Sequence, residues 1–117
     1  MREIKFRGRD GDDWYYGSLF VNECGHTAIR APKSFWMKPV NAETVGQFTG
    51  LCDCKGQDIY EGDIVTFGRG TEPSAVRWDN EFAYFVIMKS LLLGHACKAV
   101  RVIGNIHDNP ELLECKP

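Results

Sequence analysis

The sequence has no apolar run approaching the roughly 20 residues that a membrane-spanning helix needs. Residues 1–5 lack the apolar stretch of a signal peptide. Neither sign of charge dominates, because 14 basic residues face 16 acidic ones and the formal net charge is −2. These absences exclude a histone-like polycation and predict a cytoplasmic protein without a membrane partner.

Five cysteines, an odd number, occur without an export signal, which argues against a disulfide framework. The thiols are therefore expected to be free. Cys24 with His26, and Cys52 with Cys54, would supply the four ligands of a tetrahedral zinc site if the two pairs met in space, which the sequence leaves open. Zinc ribbons usually separate paired cysteines by two or more residues, so polar turns that carry thiols are the favoured interpretation. We expect neither a metal nor a cofactor.

Short segments of alternating apolar and polar residues, bounded by glycine, asparagine, aspartate and proline, replace helical periodicity along the chain. This pattern predicts an all-β protein. Segments 3–7 and 14–21 are predicted to form a hairpin around residues 10–13, whose sequence Asp-Gly-Asp-Asp suits a tight turn. The same four residues faintly resemble a calcium loop, but they lack the bidentate glutamate that such a loop carries at its twelfth position.

Further strands are predicted after the hairpin. A third strand over residues 26–31 ends at Pro32, and residues 41–44 are predicted to turn before a strand over residues 45–49. Many short strands suit a small SH3-like barrel or roll with an N-terminal β-hairpin extension, because closure removes unpaired strand edges.

Two later segments carry turn signals. The Glu-Gly-Asp sequence at residues 61–63 predicts a tight turn in which Gly62 adopts a positive φ and Asp63 accepts backbone hydrogen bonds. Residues 109–114 place asparagine directly before proline and an acid in the first turn, which predicts a short C-terminal helical turn.

Five segments, in order along nearly the whole chain, resemble the YopX family of phage and prophage proteins. They are residues 4–8 (IKFRG), 14–19 (WYYGSL), 44–51 (TVGQFTGL), 53–65 (DCKGQDIYEGDIV) and 102–113 (VIGNIHDNPELL). The family often has lysine or another polar residue at the positions of Cys52 and Cys54, which argues against a metal role as a family property. The resemblance implies one SH3-like β domain over residues 1–117 and a phage or prophage gene in a bacterial host. It implies no activity and no catalytic residues.

The first strand carries a candidate nucleic-acid-binding surface, because four basic residues against one acidic residue give residues 1–9 a net charge of +3. Lys5, Arg7 and Arg9 are predicted to share one face of the strand, roughly 7 Å apart, where a row of cations would track phosphates. Trp14 and Tyr16 would stack on bases. The acidic residues that follow weaken this field, and a solvated strand face explains the pattern equally well.

The 14 aromatic residues are expected to fill most of the core, and rings that a small barrel cannot accommodate would form an exposed patch. The rings assigned to the core by default are Tyr15, Phe35, Trp36, Phe48, Trp78, Phe82 and Tyr84. Of these, Phe35 and Trp36, with Met37, lie between two prolines and are the first candidates for an interface. They would either dock on another subunit or partner, or cap the barrel.

No constellation of catalytic side chains emerges. The three histidines stand in loops or at strand ends without a motif around them, and Cys97 lacks a neighbouring base. We therefore predict a non-catalytic protein without a small-molecule substrate. Its preferred partner is another protein or a second copy of itself, with nucleic acid as the alternative.

Overall fold

The computed structural model describes residues 3–68, 72–81, 83–87 and 91–113, and these residues form mainly strands and turns. The strands are β1 (Phe6–Asp10), β2 (Asp13–Val21), β3 (Thr27–Arg30), β4 (Lys38–Pro39), β5 (Asn41–Cys52), β6 (Asp58–Tyr60), β7 (Asp63–Thr66), β8 (Ser74–Ala75), β9 (Arg77–Asp79), β10 (Tyr84–Ile87), β11 (Leu91–Leu92) and β12 (Arg101–Asn105). The all-β prediction is confirmed.

Helical structure in these ranges is short. The helix α1 spans Leu93–Ala96, and 3-10 turns follow at Cys97–Ala99 and Pro110–Leu113. The last of these confirms the predicted C-terminal turn, although Glu114 lies outside the described residues. Across the described ranges, no helix combines the length and the apolar character needed to cross a membrane.

The chain divides into two compact units, Met1–Phe48 and Thr49–Pro117. The single domain expected from the sequence therefore stays a prediction. The core assignment of Phe82 cannot be compared, since this residue is outside the described ranges.

The first unit is an antiparallel sheet in the order β4-β3-β2-β1-β5. Its hairpin forms as predicted, because β1 pairs with β2 up to the opposed residues Asp10 and Asp13. Gly11 has a φ of 63° at the first central position of the two-residue turn, the place that a type II′ turn gives to glycine. The hairpin interpretation of residues 10–13 is thus confirmed.

The turn predicted at residues 41–44 is wrong, because β5 already begins at Asn41. Asn41 pairs with Arg9 across an irregularity in the ladder between β1 and β5. There the Thr44 hydroxyl accepts a hydrogen bond from the Arg9 N–H at 2.8 Å and donates one to the Asn41 carbonyl at 2.6 Å. The polar residues that resemble a turn in sequence instead replace missing ladder bonds at a bulge.

The second unit contains two three-stranded antiparallel sheets, β12-β7-β8 and β11-β10-β9, while the end of β5 pairs with β6. Within the described residues the strands form separate sheets and do not close into a barrel, so that part of the expected fold is corrected. Strands of two or three residues, such as β8 and β11, supply too few ladder bonds to continue the pairing into a closed ring.

Aliphatic side chains form most of the buried core of the second unit, in which Tyr60 is also buried. The buried cluster comprises Ile59, Val65, Val76, Ile87, Leu93, Ala96, Cys97 and Val100. Trp78, which was assigned to the core, is 42% exposed and meets Phe85 edge-on with ring centroids 4.9 Å apart. β-branched side chains pack closely on short pleated strands, whereas an indole needs more depth than such sheets provide.

The turn between β6 and β7 has the predicted geometry. Gly62 adopts a φ of 92°, and its N–H donates a hydrogen bond to the Val76 carbonyl at 2.9 Å. The Gly62 carbonyl accepts one from the Ile106 N–H at 2.9 Å. The turn therefore connects three segments of the second unit through one residue.

Replacing Gly62 with valine should lower the free energy of unfolding by about 1–3 kcal/mol, since a β-branched residue is strained at this φ. Thermal unfolding followed by circular dichroism measures the loss. Gly94→Val serves as control, because a Cβ at Gly94 meets nothing within 4 Å. Equal melting temperatures for both variants would contradict the proposed role of the turn.

Candidate functional site

Two of the predicted basic residues are stacked on an aromatic ring. The Cζ of Arg7 lies 4.8 Å from the centroid of Trp14, and the Cζ of Arg9 lies 5.7 Å from it. Lys5 approaches the Phe48 ring in the same way, with Nζ 4.6 Å from the centroid. Each such contact is worth about 0.5–2 kcal/mol, the larger values where water is excluded.

Arg7 is more deeply buried than Lys5 and Arg9, because only 5% of this residue is exposed. Tyr16, opposite Arg7 in the β1–β2 ladder, is exposed. The structure thus brings Arg7, Arg9 and Trp14 together, but as a packed group rather than a solvated row of cations. A role in nucleic-acid binding stays a prediction.

The segment Phe35, Trp36 and Met37, which we call the apolar loop, projects from the first unit. Phe35 is 95% exposed, Trp36 84% and Met37 53%. Of the two alternatives left by the sequence, capping of a core by these rings is excluded by their exposure. The rings are available for contact with another molecule.

Local hydrogen bonds give the apolar loop a defined shape. The Ser34 N–H donates to the Ala31 carbonyl at 3.1 Å and closes a turn. The Ser34 hydroxyl then accepts from the Trp36 N–H at 3.1 Å and donates to the Trp36 carbonyl at 3.3 Å. Since these bonds lie within residues 31–36, the loop is shaped by its own backbone and not by burial of its rings.

Lys33 occupies a backbone conformation that lysine rarely adopts. In the turn 31–34, Pro32 takes the second position and Lys33 the third, where its φ is 64°. A positive φ at the third position is typical of type II turns, which place glycine or asparagine there. Lysine after proline carries no sequence signal for a positive φ, so the strain at Lys33 is not predictable from the sequence. The left-handed conformation costs lysine roughly 1–2 kcal/mol relative to glycine.

A shallow depression of about 330 Å³ adjoins the apolar loop. Its lining consists of Ser18, Arg30 and residues 31–35. Arg30 also places its Cζ 5.2 Å from the centroid of Phe20. The loop therefore offers a partner two projecting rings and, next to them, a concave surface that carries the basic side chains of Arg30 and Lys33.

Asp63 belongs to a turn, as its place in the Glu-Gly-Asp sequence predicts. The Oδ2 of Asp63 accepts a hydrogen bond from the Tyr60 N–H at 2.7 Å, and Asp63 is buried. The structure therefore gives Asp63 the turn-forming role that the sequence predicts.

Asp53 is buried and anchors the turn that follows β5. Its Oδ1 accepts hydrogen bonds from the N–H groups of Lys55 at 2.8 Å and Gln57 at 2.9 Å, and its Oδ2 accepts one from the Val102 N–H at 2.9 Å. Burial alone would raise the pKa of the Asp53 carboxyl, but these donors outweigh it and hold the pKa below its ordinary value. The group is therefore a charged structural anchor.

The cysteine pairs considered for zinc lie in different units, Cys24 with His26 in the first and Cys52 with Cys54 in the second. Partial desolvation raises the pKa of the Cys52 thiol, and a hydrogen bond from its Sγ to Asp58 Oδ1 at 3.5 Å raises it further. A raised pKa keeps the thiol protonated and poorly nucleophilic. In the part of the chain that the structure describes, no group of three or more His, Cys, Asp and Glu side chains could hold a metal ion.

Comparison with known proteins identifies relatives at the level of family and fold. The family model described as YopX protein matches residues 6–114. Among solved structures, the chain is similar to the crystal structure of protein EF1440 from Enterococcus faecalis, with a TM-score of 0.64 and 20% sequence identity over 97% of this chain and 100% of that chain. At this identity the likeness concerns the fold alone. No curated protein matches the chain.

Replacing Lys33 with glycine should stabilise the protein by about 1 kcal/mol, because glycine adopts a positive φ without strain. Chemical denaturation of Lys33→Gly against the original chain measures the change. Lys33→Ala, which removes the charge but keeps the strain, is the control. A Lys33→Gly protein no more stable than Lys33→Ala would show that the turn is unstrained.

Replacing Asp53 with asparagine should lower the free energy of unfolding by about 2–3 kcal/mol near neutral pH, because the new amide group would face the Val102 N–H donor to donor. Because the folded pKa of Asp53 is depressed, its stabilising contribution is present above the unfolded pKa and is lost as the pH falls through the folded pKa.

Urea unfolding of both proteins at neutral and acidic pH tests this, and the difference between them should shrink below about pH 4. Glu23→Gln, at an exposed turn position, is the control. A pH-independent difference would contradict the anchoring role of the charged carboxylate.

Proposed function

The chain belongs to the YopX family, and from that premise we propose that it acts without catalysis, as an accessory protein of a phage or prophage that binds protein through the apolar loop. One observation carries the proposal. Phe35 and Trp36, two adjacent large rings, are 95% and 84% exposed.

The composition of the loop supports a protein partner. Aromatic residues, methionine and arginine are enriched at the centres of protein interfaces, and tryptophan is among the commonest binding hot spots. The bonds of Ser34 to Ala31 and Trp36 hold the loop in shape before a partner arrives. Preorganisation of this kind reduces the entropy lost on binding.

Nucleic acid is the second candidate partner, because the basic residues of β1 are packed against aromatic rings. Arg7, the middle cation of the predicted row, is 5% exposed and stacks on Trp14, the ring expected to receive a base. A phosphate would have to displace this packing. The apolar loop, in contrast, is accessible as it stands.

Replacing both rings, Phe35→Ser with Trp36→Ser, should abolish protein binding while leaving the melting temperature unchanged, since exposed side chains contribute little to stability. Tagged protein is used to capture proteins from host cells, and captured proteins are quantified by mass spectrometry. Val21→Ser, at a site 60% exposed in the same unit, is the matched control. A partner should be retained by the control and lost at least tenfold with the double variant, as expected for hot-spot residues.

Identical captured sets for all three proteins would contradict the proposal. Labelled single- and double-stranded DNA, titrated at low and moderate salt, tests the alternative. Binding that weakens steeply with salt and disappears in a Lys5/Arg7/Arg9 triple alanine variant would favour nucleic acid instead.

A further inference from the structure

The surroundings of the apolar loop carry charge of one sign. Arg30, Lys33 and Lys38 flank it, and no acidic residue occurs between Arg30 and Lys38 in the sequence. This segment has a charge of +3 in a chain whose formal net charge is −2. All three basic residues are exposed. A partner that covers the apolar loop must therefore present acidic groups beside its own apolar surface.

An acidic surface of this kind lies in the same unit. Residues 10–13 form the tip of the β1–β2 hairpin, where Asp10, Asp12 and Asp13 are exposed. Lys38 contacts this tip, with Nζ 3.7 Å from the Oδ2 of Asp10. Lys33 precedes the apolar loop in the chain and Lys38 follows it. The acidic tip therefore adjoins the end of the loop at Lys38.

We propose that a second copy of this chain covers the apolar loop in a two-fold dimer, with Lys33 of each copy facing Asp12 and Asp13 of the other. This inference rests on the proposed function and names the partner of the same loop. A basic end, an apolar centre and an acidic end form a self-complementary surface, and a two-fold axis through the centre places opposite charges together.

The charges select this arrangement over a direct meeting of two loops. Basic segments of +3 placed face to face would repel each other, and like charges in a closed interface cost several kcal/mol. A two-fold axis near Trp36 would bring the basic end of one copy onto the acidic tip of the other. The function of strained Lys33 is then to supply one of the charges of the interface.

The area available predicts a weak and reversible dimer. Buried phenylalanine and tryptophan side chains each remove about 150–250 Å² from water, so four rings at the interface would bury roughly 600–1,000 Å². Stable interfaces begin near about 1,200 Å² in total. Met37 and the hairpin tips must supply the remainder, which makes the dimer sensitive to their charges.

Analytical ultracentrifugation of the full chain over a concentration series tests the inference with charge-exchange variants. Lys33→Glu and Asp12→Lys, each alone, should raise the dimer dissociation constant at least about tenfold, because each places like charges together twice in a two-fold interface. The double variant, which exchanges the two charges, should restore the original constant to within about threefold. Melting temperatures confirm that each variant is folded, and Val21→Ser is again the control.

The outcomes separate this inference from the proposed function. A chain that is monomeric at every concentration would overturn the dimer, whereas loop-dependent capture of a different protein would still support the proposed function. A dimer that survives Phe35→Ser with Trp36→Ser would overturn this inference, whereas the proposed function would still be decided by the capture experiment. The two-fold arrangement would be overturned by a loop-dependent dimer whose dissociation constant is not restored in the double charge variant. Assemblies that grow beyond a dimer with concentration would overturn it as well.

Discussion

The second unit depends on the carboxylate of Asp53. It binds two N–H groups of its own turn and one from Val102, 49 residues further along the chain. A buried carboxylate is stable only when its oxygens are hydrogen-bonded, and three N–H donors meet that requirement here. The turn after β5 and the strand β12 are therefore held at a fixed distance. Asp63 plays a more local role in the turn between β6 and β7, where its carboxylate accepts a hydrogen bond from the Tyr60 N–H.

Several aromatic rings take roles outside a hydrophobic core. In the first unit, Trp14 and Phe48 stack with cations from β1 and from the segment before it. This packing replaces part of the hydrophobic core that a thin sheet cannot provide. Phe35 and Trp36 remain exposed, in a loop whose shape comes from Ser34. The distribution of rings therefore separates structural aromatics from those available for binding.

The sequence predicts those features that depend on a few neighbouring residues. The hairpin at Gly11, the positive φ of Gly62 and the carboxylate of Asp63 each follow from local turn chemistry, and each is confirmed. The sequence also locates the exposed apolar loop, and the exposure of its rings decides between the two alternatives that the sequence leaves open.

Features that depend on residues far apart in the chain could not be predicted from the sequence. Asn41 and Thr44 resemble a turn, because nothing local shows that Arg9 will pair beside them. The bond between Asp53 and Val102 joins segments that no spacing rule connects. Burial of Arg7 is equally hidden, since alternation along β1 suggests a solvated face. The strain at Lys33 is unpredictable for another reason, because type II turns rarely place lysine at that position.

The self-contained hydrogen bonding of the apolar loop has an evolutionary consequence. Ser34 and Pro32 maintain the backbone of the loop, while Phe35 and Trp36 contribute almost nothing to folding. Mutations at the two rings should therefore carry little penalty in stability. Successive substitutions can exchange these side chains one at a time and keep the same scaffold throughout.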